Sequence, residues 1–98
     1  MRLSDHQIAA IKAAATEAFG SDAIVRLFGS RVRDDRRGGD IDLHIEAAPE
    51  RAGSLEEQRF RVLLWQRLDE SQVDVVVAPR GSPARWIDTA ALREGIIL

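Results

Sequence analysis

Residues 39–46 read Gly39-Asp40-Ile41-Asp42-Leu43-His44-Ile45-Glu46, and this stretch decides the fold. Polar and apolar residues alternate strictly, which is the period of a strand with one face in a core. Ile41, Leu43 and Ile45 share the apolar face, and Asp40, Asp42, His44 and Glu46 share the other. Upstream, Ala23 to Phe28 is a short apolar run of the kind found in buried strands, and it stops at Gly29-Ser30. Residues 29–39 between them form a polar turn region. Downstream, residues 47–53 are a loop containing Pro49. Ser54 with Glu57 then offers a capping box for a helix running to about Asp69. Val73 to Ala78 is a third strand, broken by Pro79 and Gly81. Pro83 can open a last helix through about Glu94, and Gly95 precedes an apolar stub, Ile96-Ile97-Leu98. At the start of the chain, Ser4 with Gln7 caps a helix whose Ile8, Ile11, Ala15, Ala18 and Phe19 lie on one side and which Gly20 can end. The order predicts an α/β (α+β) domain: one small mixed sheet flanked by helices, spanning residues 1–98.

Composition narrows the chemistry. The 98 residues include 14 basic and 16 acidic side chains, two histidines and no cysteine. Disulfides and thiolate zinc sites are excluded, and any metal must be held by oxygen. No apolar run is long enough for a membrane span and the N-terminus lacks a signal-peptide pattern, so the expected address is the cytoplasm. A net charge of −2 argues against a general nucleic-acid coat. Basic charge is nevertheless concentrated, with five arginines against two aspartates in residues 26–37.

Three carboxylates stand out. Residues two apart on a strand point the same way, about 6.5–7 Å apart along it, so Asp40 and Asp42 project together. Asp74 interrupts the valines of a run suited to the middle of a sheet. A lone ionised carboxylate buried there would be costly, so it sits at an edge, pairs with an arginine, or shares a cation with other carboxylates. If its strand lies beside that of Asp40, three negative groups converge, and one or two hard divalent cations are the simplest compensation. Gly29-Ser30, where a buried strand meets a polar segment, could bring backbone amides and a hydroxyl to phosphate oxygens. An ordinary turn would use the same two residues.

Taken in order, Gly29-Ser30-Arg31, Gly39-Asp40-Ile41-Asp42-Leu43 and Val73-Asp74-Val75-Val76 resemble the three-part signature of the DNA polymerase beta superfamily of nucleotidyltransferases. The length and ending are similar to its minimal nucleotidyltransferase (MNT) branch. Gly39 stands where relatives often carry a polar residue, and Asp34 near where they carry glycine. The resemblance implies that Asp40, Asp42 and Asp74 hold two magnesium ions, and that Gly29 and Ser30, with Arg31 beside them, grip the phosphates of ATP. Asp74 would also accept or orient the proton of the attacking hydroxyl. It further implies an antitoxin of a HEPN/MNT toxin-antitoxin pair, which attaches AMP to a tyrosine hydroxyl of its HEPN-domain toxin partner. A binding-only antitoxin and a nucleotidyltransferase acting on an aminoglycoside-like hydroxyl are the competing readings. Larger relatives carry an acceptor-binding domain, so this chain is expected to borrow that surface from its partner, with no direct nucleic-acid target.

Two further expectations come from the residues themselves. Arg33, Arg36 and Arg37 are expected in a solvated loop or partner contact, and His44 at an exposed strand position with no chemical role, as for His6. In the second helix, Phe60, Leu63, Leu64 and Leu68 form a core stripe while Leu55, Val62 and Trp65 fall on a different side. That second side either covers a partner or a second copy, or leaves Trp65 packed between the sheet and the C-terminal segment.

Overall fold

The computed structural model describes residues 3–29, 41–68 and 73–98. Ser30, Arg31, Arg33, Arg36, Arg37 and Asp40 lie outside them, as does Asp69 at the expected end of the second helix. The first helix, α1, spans Asp5–Phe19 and begins with the anticipated box: Ser4 Oγ accepts the Gln7 N–H at 3.1 Å and Gln7 Oε1 accepts the Ser4 N–H at 2.8 Å. Gly20, at φ 101°, ends it with its N–H on the Thr16 carbonyl. This left-handed conformation costs glycine nothing.

Strands β1 (Ile24–Phe28), β2 (Ile41–Ala47) and β3 (Val73–Pro79) form a mixed sheet with a fourth strand, β4 (Ile96–Ile97), in the order β3-β2-β1-β4. β1 is antiparallel to both β2 and β4, while β2 and β3 are parallel. The terminal apolar stub is therefore a paired strand. Parallel neighbours need a crossover, supplied here by a 3-10 turn at Pro49–Arg51 and helix α2 (Ser54–Arg67). The expected Ser54 and Glu57 box does not form. Gly53 is the N-cap and makes no side-chain cap, so Ser54 is already inside the helix, one place too late to cap it, and Glu57 pairs with Arg61 at 3.3 Å instead. The last helix, α3 (Trp86–Glu94), starts three residues after Pro83, with Arg85 as its N-cap.

The β2 alternation sorts the molecule into layers. Ile41, Leu43 and Ile45 are fully buried against Ile11 and Phe19 of α1 and Phe60 and Leu64 of α2. The Phe19 and Phe60 rings lie 5.4 Å apart at 57°, a favourable tilted arrangement at the centre of this core. Asp42, His44 and Glu46 face the other way, where α3 crosses the sheet. β3 is an edge strand, and arginines occupy its outward carbonyls. Arg61 donates to Val73 O at 3.5 Å and Val75 O at 3.4 Å, and Arg85 donates to Val77 O at 3.0 Å. The next alternate residue, Pro79, has no N–H to offer. Among the described residues, no helix is long and apolar enough to cross a membrane.

Candidate active site

Parallel pairing puts Asp42 of β2 directly beside Asp74 of β3. Paired residues on adjacent strands project from the same face with their strands about 4.8 Å apart, so two carboxylates share one patch of sheet. Asp74 lies on the edge strand and is exposed, and Asp42 is half-buried. The edge position answers one part of the sequence question, because Asp74 is not in the middle of the sheet. It also leaves that side chain open to a solute.

The third neighbour is Gly29. In the antiparallel register Phe28 pairs with Asp42, and the chain turns at Gly29 with φ 79°. A Cβ at Gly29 would overlap the Asp42 carboxylate. The position thus requires glycine twice, for its backbone angle and for the close approach. Of the six residues singled out for binding and catalysis, the structure brings Gly29, Asp42 and Asp74 to one end of the sheet. Asp40, Ser30 and Arg31 lie outside the described residues, although Asp40 immediately precedes β2 and Ser30 immediately follows Gly29 in sequence.

Could this corner hold magnesium? Two side-by-side carboxylates repel one another unless a positive charge compensates, and their oxygens are hard donors of the kind magnesium selects. The lack of a Cβ at Gly29 lets the backbone approach the Asp42 carboxylate closely. The residues present fit the group, with Asp42 and Asp74 as holders. Among the described residues, no group of three His, Cys, Asp or Glu side chains forms a metal site, and the third expected ligand is Asp40.

His44 departs from its expectation. It is 2% exposed, not a solvated strand position, because α3 lies over it. Its Nε2 is 2.8 Å from Asp88 Oδ1, and its Nδ1 has no hydrogen-bond partner among the described residues. Asp88 also accepts from the Arg85 N–H at 2.9 Å and from the Arg85 guanidinium at 3.0 and 3.1 Å. That guanidinium holds the Asp88 carboxyl well below the usual carboxylate range against the opposing effect of burial, with help from the Arg85 backbone and His44. An ionised Asp88 is acceptor-only, which makes Nε2 the protonated nitrogen. Glu46 is similarly lowered, first by its bond to Arg80 at 3.1 Å and also by Arg26 at 3.2 Å, which outweigh burial.

The face is therefore divided. At one end are Asp42, Asp74 and Gly29. His44 lies under α3 in the middle. At the other end a 140 Å³ cavity is bordered by Glu46, Arg80, Ser82 and Leu92 among others. Sequence reasoning passed over the Arg85 and Asp88 pair, although its spacing of three at a helix start is that of a capping interaction. No family model matches the chain, and a search of curated proteins likewise finds no match.

Proposed function

We propose that the chain is a polymerase-beta-like nucleotidyltransferase of the minimal type, acting as the antitoxin of a HEPN/MNT pair in the cytoplasm. It would transfer AMP from ATP to a hydroxyl, that of a tyrosine, on its HEPN-domain toxin partner and so neutralise it. The observation that carries this reading is the in-register placement of Asp42 beside Asp74, with Gly29 packed against the Asp42 carboxylate. The three segments of the sequence resemblance meet at that corner.

In this reading Asp42 and Asp74, with Asp40, hold two magnesium ions. When bound, the ions lower the pKa of the attacking oxygen and neutralise charge on the departing pyrophosphate. Gly29 leaves room for the phosphates, and Ser30 and Arg31 bind them. The acceptor oxygen forms a bond to the α-phosphorus, the bond to pyrophosphate breaks, and the hydroxyl proton passes to Asp74. The exposed edge position of Asp74 suits that task, since the acceptor belongs to another molecule. No covalent enzyme intermediate is required. Alignment and charge stabilisation supply the rate.

Incubation with ATP, magnesium and the partner toxin should transfer labelled AMP to the toxin, and Asp42→Asn should reduce transfer by about 10²-fold or more. Loss of labelling with toxicity still suppressed by Asp42→Asn would replace the enzymatic reading with inhibition by contact. Absence of transfer from the unsubstituted chain would overturn it.

A further inference from the structure

Helix α2 has three sides. Phe60 and Leu64 enter the core, while Leu55, Val62 and Trp65 are exposed, so Trp65 is not packed between the sheet and the C-terminal segment. At about 100° per residue Glu57 and Arg61 fall on the flank between those two sides, and this flank adjoins the edge of β3. Arg61 Nε donates to Glu57 Oε2 at 3.3 Å, and the two terminal nitrogens reach the sheet. Nη1 donates to Val73 O at 3.5 Å and Nη2 to Val75 O at 3.4 Å.

Those carbonyls belong to the residues on either side of Asp74. In a parallel pair, successive residues turn their backbone groups alternately to the neighbouring strand and away from it. Val73 and Val75 therefore face outward, and Asp74 and Val76 face β2. One guanidinium thus spans the outer edge of the strand at the level of Asp74.

The strand has reason to be held there. Asp42 and Asp74 are directly paired, and like charges side by side disfavour contact between their strands. β2 is flanked by strands on both sides, whereas β3 has β2 on one side and arginines on the other. Repulsion therefore displaces β3 more readily than β2. Arg61 opposes this from outside. It follows Phe60, which is fully buried, so its backbone is anchored in the core, and its planar fork loses little freedom in spanning two acceptors.

We propose that Arg61 is a positioning residue for Asp74: it grips the carbonyls on both sides of that residue and fixes the edge strand, so that the Asp74 carboxylate stays beside that of Asp42. Its effect on transfer rests on the reading of that corner as the reacting site.

Amide hydrogen exchange and AMP transfer, measured on the same variants, test this. Arg61→Ala should speed exchange of the inward-facing Asp74 and Val76 amides by about 10-fold and leave that of Leu43 in the central strand unchanged. It should lower kcat by about 10-fold through misplacement of Asp74. The KM for ATP should change by less than about 2-fold, since the phosphate grip of Gly29, Ser30 and Arg31 is untouched. Arg61→Lys carries one ammonium in place of the fork and should recover part of each effect. Arg67→Ala, which removes the 2.6 Å pair with Glu17 on the same helix, should alter neither exchange nor kcat. Unchanged exchange in Arg61→Ala overturns the proposal, and if kcat falls all the same Arg61 acts on the substrates instead. Faster exchange with kcat unchanged also overturns it. A chain that transfers nothing even when unsubstituted overturns the catalytic reading, and the exchange measurement then decides by itself whether Arg61 fixes Asp74.

Discussion

At the scale of single residues, Gly29 is the most constrained position in the described structure. Its φ of 79° is costly for any residue with a Cβ, by about 1–2 kcal/mol, and the added methyl would have to displace the Asp42 carboxylate. Gly29→Ala is therefore expected to lower stability by at least that amount and to reduce transfer by about 10²-fold through misplacement of Asp42. Thermal melts and AMP transfer measured on the same preparation separate the two effects. Gly81, also at positive φ, is the informative contrast: a Cβ there meets nothing within 4 Å. Gly81→Ala should bear the backbone cost alone and leave transfer unchanged.

At the scale of elements, α3 is attached to the sheet by charge more than by apolar burial. Ala91 and Asp88 are its buried side chains, and Asp88 joins the Arg85 guanidinium to the His44 ring. A carboxyl whose folded pKa lies below its unfolded value stabilises fully above the ordinary carboxylate range near pH 4. It loses that contribution as pH falls through this range towards the lowered folded value. Asp88 and Glu46 both have this sense. The melting temperature should be flat from about pH 7 to 5 and fall below about pH 4. Asp88→Asn should lower it at pH 7 and make the acid decline shallower. The elements differ in how far their residues announced them. α1, β1, β2 and β3 were legible because each has a period or cap carried by its own residues, as with Ser4 and Gln7 or the β2 alternation. β4 was not, since two isoleucines have no period and become a strand only by pairing with Arg26 and Leu27 of β1. The burial of His44 was hidden for the same reason: it depends on where α3 crosses, a tertiary fact. The pairing of Asp42 with Asp74 needed only that the two strands be neighbours, which a crossover through α2 makes natural.

At the scale of the whole molecule, two layers of different character flank one sheet. The apolar layer of α1 and α2 holds the core, and in the polar layer α3 covers His44 while Asp74 stays exposed. Among the described residues both edges of the sheet are blunted: β4 has only two residues, and the Val73, Val75 and Val77 carbonyls of β3 accept from Arg61 and Arg85. Arg61→Ala uncovers two of those carbonyls while leaving the core side of α2 untouched. It is expected to change the melting temperature little and to increase light scattering on heating. Equal scattering from both proteins would show that the arginine contacts are incidental. The consequence concerns crowding in a cell. A row of valines at an open edge would be a template on which a neighbour's extended chain could add, one molecule recruiting the next into a fibre. The two guanidinium groups occupy the acceptors such an incoming strand would need, so they serve as built-in gatekeepers against amyloid-like growth.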